Sequence, residues 1–151
     1  MKVEWINPFL TATASVFDSM LSVEVRRQTP YLRKALQPQY GITGVIGLTG
    51  KATGTVAFSL PEEAALAITQ RLLGERPATI NAQVTDAIGE VTNMIAGAAK
   101  AHLADLELSL GLPTVVIGRD ACIAFPSRAV PIAIPFDSDL GPLVVEVGIV
   151  G

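Results

Sequence analysis

Asp86-x-x-x-Glu90-x-x-Asn93, followed by Gly97, is the one pattern in this 151-residue sequence whose residue types and spacing could do chemistry. On a helix the offsets i, i+4, i+7 and i+11 bring all four positions onto one face. Glutamate and asparagine at this spacing do not make a nucleophile–base pair. An asparagine amide has no proton to exchange near neutral pH, but it both donates and accepts hydrogen bonds, so it can orient a water molecule. A carboxylate such as Glu90 can pair with a lysine on whatever docks against the face. Orienting water and engaging a partner's lysine is what a helper of phosphoryl hydrolysis needs, since such reactions depend on positioning and charge more than on covalent chemistry. The plain alternative is a solvated face. Against it, Ala96, Gly97, Ala101 and Ala104 border the polar residues, so another surface can come within hydrogen-bonding range. A glycine inside a helix costs about 1 kcal/mol against alanine. Close approach by a partner accounts for Gly97, and packing accounts equally well for Gly89.

Other candidates lack part of what their chemistry requires. Gly47-Leu48-Thr49-Gly50-Lys51-Ala52 has Val45 at the first glycine position of a phosphate-binding loop and Ala52 in place of its hydroxyl. It reads as a hairpin turn, with Gly50 supplying positive φ. Asp137-Ser138-Asp139 offers two carboxylates without a third acid nearby in sequence, and Gly141-Pro142 follows, which favours a solvated turn. Cys122 stands among apolar neighbours with no base beside it, as a small core residue would. No Gly-x-Ser-x-Gly elbow is present. The single histidine, His102, falls in line with Ile88, Val91 and Ile95 on a helical wheel, so it is expected at the core edge.

The elements that must hold the stripe come from periodicity and punctuation. Asn81 caps a long helix expected to run to Leu110, with Gly111 at its exit and Pro113 beyond. Its apolar side comprises Val84, Ile88, Val91, Ile95, Ala98 and Leu106. Upstream, Asn7-Pro8 starts a first helix that carries Phe9, Val16, Phe17 and Met20 and ends near Leu21. Residues 22–27 alternate as a strand, and 30–39 read as a loop. Residues 40–48 and 53–60 form a hairpin, and Pro61-Glu62-Glu63 opens a second helix that Gly74 stops. Short strands are expected at 114–117, 121–125, 130–136 and 143–150. Helices segregated from hairpins make this an α+β domain of two layers, with helices, one of them long, on a mainly antiparallel sheet.

Composition bounds the rest. Half of the residues are apolar, 17% are charged and the mean hydropathy is +0.46, which suits a packed domain over residues 1–151. With 11 basic against 14 acidic residues the net charge is −3, and no basic footprint marks a nucleic-acid partner. A single cysteine excludes an internal disulfide, and with one histidine no Cys/His metal cage can form. No apolar run reaches the ~18 residues of a membrane span, and the first residues lack the core of a signal peptide, so a cytoplasmic protein is expected.

Three segments together resemble the CheX branch of the CheC/CheX/FliY family of chemotaxis phosphatases. These are 86–97 with its Glu-x-x-Asn, the block Pro113-Thr114-Val115-Val116-x-Gly118-Arg119-Asp120, and the hairpin segment 44–50. The family pattern maps onto Asp86, Glu90, Asn93 and Pro113, with a shorter interval before the proline than is usual. Residues 7–21 contain no glutamate, so the second Glu-x-x-Asn of CheC-type members is missing and one site remains per chain, as in CheX. The resemblance implies a phosphatase acting on the phosphoaspartate of a CheY-like receiver, whose own bound Mg2+ stays with it. The chain then needs no cofactor of its own. Glu90 would be catalytic and pair with the receiver's lysine, and Asn93 would hold water in line for attack. Asp86 and Gly97 would border the contact. The resemblance also implies a homodimer joined through sheet strands, with 143–150 as a possible exposed edge. A rival class is a non-catalytic module that binds a receiver or a flagellar-switch-like partner through the same face. A small-ligand-binding domain has no support beyond the apolar inventory.

Overall fold

Among the residues described, 2–151, the computed structural model has eight strands in one antiparallel sheet with three helices against one face. The chain runs α1 (Val3–Leu21), β1 (Val25–Arg27), β2 (Tyr31–Leu32), β3 (Ile42–Thr49), β4 (Thr53–Leu60), α2 (Glu62–Leu73) and α3 (Ala82–Lys100). A 3₁₀ turn (Ala104–Leu106) and strands β5 (Ser109–Leu110), β6 (Thr114–Ile117), β7 (Ile132–Ser138) and β8 (Leu143–Val150) complete it. The sheet order is β1-β7-β8-β4-β3-β5, with β2 also on β7 and β6 also on β3. One edge is therefore made by β1 and β2, and the other by β5 and β6.

Alternation decides which side chains meet the helices. Ile42, Ile46 and Leu48 of β3, Val56, Phe58 and Leu60 of β4, and Val145, Val147 and Ile149 of β8 point to the helical face and are buried. They meet Phe9, Phe17, Val84, Ile88, Val91 and Ile95, and Phe17 packs edge-to-face on Phe58 at 6.1 Å. The other face carries Ala57, Ser59, Val144 and Glu146, all buried. Their cover comes from residues without regular structure: Ile123 N–H donates to Leu36 O at 2.8 Å, and Arg119 Nε to Pro38 O at 3.1 Å.

Several expectations need correction. α1 begins at Val3, with Pro8 inside it, and Ser22 is not in a strand but closes the helix at φ 54°. Met20 is exposed. The 30–39 segment contains the short strand β2, whereas 121–125 forms no strand and Cys122 is exposed. β8 is not an edge: it lies between β7 and β4, paired on both sides. Gly50 does not adopt positive φ. It is needed because a Cβ there would stand 2.5 Å from Glu107 O and 2.8 Å from Leu106 O, where the 3₁₀ turn crosses the hairpin tip.

The largest difference concerns the end of α3. Leu103, Leu106, Leu108 and Leu110 continue a helix-like period, yet the helix stops at Lys100. Lys51 N–H donates to Leu106 O at 2.8 Å, Glu107 adopts φ 48°, and Ser109 and Leu110 pair with Thr49 and Leu48. Pairing with the hairpin outweighs local helix propensity, which is only a weak prior. His102 is consequently off the helix and exposed, and it lines a hollow with Lys2, Trp5 and Asp105.

Close approach sets how α3 sits on the sheet. A Cβ at Gly44 would stand 1.9 Å from Thr92 Oγ1 and 3.0 Å from Thr92 Cβ. The Thr92 hydroxyl in turn donates to Ile88 O at 2.7 Å. Gly44→Ala must lift α3 off β3, so it is expected to cost about 1–3 kcal/mol. Thermal unfolding of the variant checks this, and an unchanged midpoint would mean that the helix is free to shift.

Candidate functional site

α3 holds the stripe because its two faces differ. Val84, Ile88, Val91 and Ile95 are buried toward the sheet, and the Asn81 side chain accepts from Val84 N–H at 3.2 Å to start the helix. On the outer side Asp86, Glu90 and Lys100 are exposed, while Asn93 and Gly97 are half-buried. All four site residues read from the sequence therefore share one accessible face. Of the small residues expected beside them, Ala101 and Ala104 are exposed, whereas Ala96 is buried in the core. A Cβ at Gly97 would meet Leu110 Cδ1 at 3.9 Å, an ordinary contact, so nothing inside the fold crowds that position.

Among the described residues, no hydrogen bond or ion pair engages the side chains of Asp86, Glu90 or Asn93. Some other charged groups are paired, while exposed acids such as Glu24, Glu62 and Asp120 are as unpaired as these. Asp137 and Asp139 both face Arg26, at 3.4 and 3.6 Å, and Lys51 faces Glu107 at 3.3 Å. Polar side chains presented without internal partners are free to engage a docked molecule. Lys100, in the last turn, sits at the negative end of the helix dipole.

Pro113, far from Glu90 in sequence, reaches the same place. It lies over Gly89, its Cγ 3.7 Å from where a Cβ would stand, with Val115 Cγ2 at 3.6 Å. Thr85, Asp86, Gly89, Glu90, Pro113 and Val115 line a surface hollow of about 540 Å³. The shorter interval between Asn93 and Pro113 thus does not remove the proline from the site. Val115 carries no sequence signal as a site residue, because only the antiparallel pairing of β6 with β3 brings it there; Thr85 reaches the hollow from α3 itself, next to Asp86.

Chemically, the face offers a free carboxylate beside a hollow that reaches to β6 and, one turn along the helix, an amide that can both donate and accept. The thiol is elsewhere: Cys122 belongs to the segment covering the opposite sheet face. Among the described residues, no group of three His, Cys, Asp or Glu side chains is placed to hold a metal ion. Among the described residues, no helix is long and apolar enough to cross a membrane.

Residues 42–137 match the family model described as chemotaxis phosphatase CheX. The CheY-P phosphatase CheX of Thermotoga maritima is 27% identical over 123 residues, which cover 80% of this chain and 79% of that protein. A CheC-like superfamily protein from Shewanella sp. PV-4 is 34% identical, with a TM-score of 0.88 over 100% of both chains. The fold also superposes on a CheX–CheY–BeF3–Mg complex from Borrelia burgdorferi, at a TM-score of 0.84 and 24% identity over 99% of this chain and 100% of that one.

Proposed function

This chain belongs to the CheX family of chemotaxis phosphatases, and from that premise we propose that it hydrolyses the phosphoaspartate of a CheY-type receiver domain through Glu90 and Asn93. The observation that carries the reading is the placement of a free carboxylate and a free amide one helical turn apart on an otherwise sparse, accessible face. Side chains three apart on a helix stand about 5–6 Å from one another at Cβ, a span that fits a docking contact beside a reacting phosphoryl group. The Thermotoga relative is named for activity on CheY-P, and the Borrelia relative is in complex with CheY, BeF3 and Mg.

In this mechanism Glu90 pairs with a lysine of the receiver and fixes the docked orientation. The Asn93 amide holds a water molecule in line with the phosphorus. Water attacks phosphorus, the bond between phosphorus and the aspartyl oxygen breaks, and the receiver's aspartate leaves as a carboxylate while inorganic phosphate carries away the water's oxygen and protons. Asp86 adds negative charge at the border of the contact, and Gly97 allows close approach. The magnesium that neutralises the phosphoryl oxygens travels with the receiver, and this chain contributes no cofactor. The protein acts in the cytoplasm as a homodimer, whose strand contact falls to β1 and β2 or to β5 and β6, the edges left open by the sheet order.

The experiment is the decay of acyl phosphate on phosphorylated receivers in the presence of magnesium, with and without the chain. Glu90→Gln keeps the shape and removes the charge, so it is expected to raise the apparent KM about 5- to 50-fold. Its KM should depend less on salt than that of the wild type. Equal KM and equal salt dependence would remove the docking role from Glu90.

A further inference from the structure

The link between β5 and β6, next to the Glu90 hollow, presents an exposed apolar side chain, Leu112. β5 and β6 both pair with β3, but in registers one residue out of step. Leu48 stands opposite Leu110 and Val45 opposite Thr114, so Ile46 and Gly47 face Gly111, Leu112 and Pro113. Two residues against three is a β-bulge, a device that re-aims a side chain out of the sheet's alternation and recurs at sheet edges beside active sites. The bulge is pinned at both ends. Gly111 N–H donates to Gly47 O at 2.9 Å, and the Pro113 ring, with its fixed φ, rests over Gly89 of α3. Between them Leu112 is 91% exposed, more than any other large hydrophobic side chain among the described residues.

Single exposed leucines are ordinary on protein surfaces. This one differs in being held on a pinned bulge, one residue from the proline that lines the Glu90 hollow. We propose that Leu112 is the apolar anchor of the receiver-docking surface, inserting into a depression on the receiver while Glu90 meets a cation beside it. The proposal rests on the receiver-phosphatase reading above. Its partner is accordingly a protein surface that carries a lysine next to an apolar recess. Interfaces concentrate their energy in such anchors beside desolvated charge pairs, with the surrounding contacts excluding water. The bulge adds preorganisation: the leucine is already in place, so little ordering cost falls on binding. Asn93 is left to the chemistry, and Leu112 acts only on affinity.

The test uses the full chain with Leu112→Ala and Leu112→Asp. Affinity is read as Kd for a receiver loaded with magnesium and beryllofluoride, and as KM for acyl-phosphate decay. Because Leu112 supports no packing, both variants should unfold at the wild-type temperature. Burial of a leucine corresponds to about a tenfold change in Kd or more, so Leu112→Ala should weaken binding by about tenfold and Leu112→Asp by more. The rate at saturating receiver should stay within about twofold of wild type. Leu36→Asp, on the cover of the opposite sheet face, should change neither quantity. An unchanged Kd for Leu112→Asp with an active wild type overturns the anchor and leaves the phosphatase reading standing. So does a loss confined to the saturated rate. Conversion of a dimer to a monomer by Leu112→Asp, read by light scattering, would assign the leucine to contact between copies of this chain and overturn the proposal as well. A wild type that binds no receiver removes the anchor together with the reading it rests on.

Discussion

Asn93→Ala is expected to lower the saturated rate of acyl-phosphate hydrolysis by about 10²- to 10³-fold, the usual cost of removing one preorganised group that acts on the transition state. The Kd for the activated receiver should change by less than about threefold, because binding falls to other residues of the face. The conservative variants separate geometry from chemistry. Asn93→Asp keeps the size but loses the donor and adds a negative charge facing a phosphoryl group, so it should be no better than alanine. Asn93→Gln keeps both hydrogen-bonding functions but carries them about 1 Å too far, and a displacement of that size costs on the order of 10²-fold. Half-burial of Asn93, beside the exposed Glu90, supports this division: a partly held side chain can aim a water molecule. A glutamine variant as fast as wild type would show that position 93 does not aim the water.

Arg33→Met is expected to be the most destabilising single change away from the site. Arg33 and Glu146 form an ion pair beneath the cover of the second sheet face, with side chains only 6% and 5% exposed. Arg33 also donates through Nη2 to Leu36 O at 2.8 Å, and its guanidinium carbon lies 5.1 Å from the Phe125 ring centroid. One arginine thus ties the irregular cover to the central strand β8. Glu146 Oε1 has no hydrogen-bond partner among the described residues. Removing the arginine leaves a buried carboxylate unpaired, a change that costs about 3–5 kcal/mol. In a domain of this size that is a fall of roughly 10 °C in Tm.

The pH dependence of that loss has a definite sign. Burial pushes the Glu146 carboxyl above its ordinary value of 4.5, and Arg33 pulls it back down. Without Arg33 the folded-state value rises further above the unfolded one. A group raised in this way stabilises fully below its unfolded value, and that contribution is lost as pH rises through the folded value. The Arg33→Met deficit should therefore be largest at neutral and alkaline pH and shrink as pH falls through the raised folded-state value; well below 4.5 Glu146 is protonated in both states. Pairing the change with Glu146→Gln should restore most of the stability. A deficit that is constant with pH would mean that the arginine acts through packing on Phe125 rather than through charge.

The site face was legible because it needs only one helix. Asp86, Glu90, Asn93 and Gly97 share a side by spacing alone, and Asn81 marks where the helix starts. The β3–β4 hairpin and α2 with its Gly74 stop were equally local. What depended on tertiary pairing was not legible. The run from Ala101 to Leu110 has helical periodicity and no proline or glycine, and only its pairing with the hairpin draws it into a turn and strand. Helical periodicity through that run hides the bulge and the exposure of Leu112, and puts His102 on a core face that the folded chain keeps it from. β8 looked like an edge because it is last in sequence, yet antiparallel closure inserted it between β7 and β4. Pairing of Arg33 with Glu146, far apart in sequence, carries no local signature at all.

The measurement that bears most directly on the central claim is release of inorganic phosphate from a phosphorylated receiver, with magnesium and the chain at about one-twentieth of the receiver concentration. Release is expected to be faster than the receiver's own decay and to continue well past one equivalent per chain, with Asn93→Ala returning the trace to near the uncatalysed rate at unchanged binding. A receiver that binds the chain yet releases phosphate at its intrinsic rate, with wild type and Asn93→Ala indistinguishable, would contradict that claim and leave the helix face as a docking surface without catalysis.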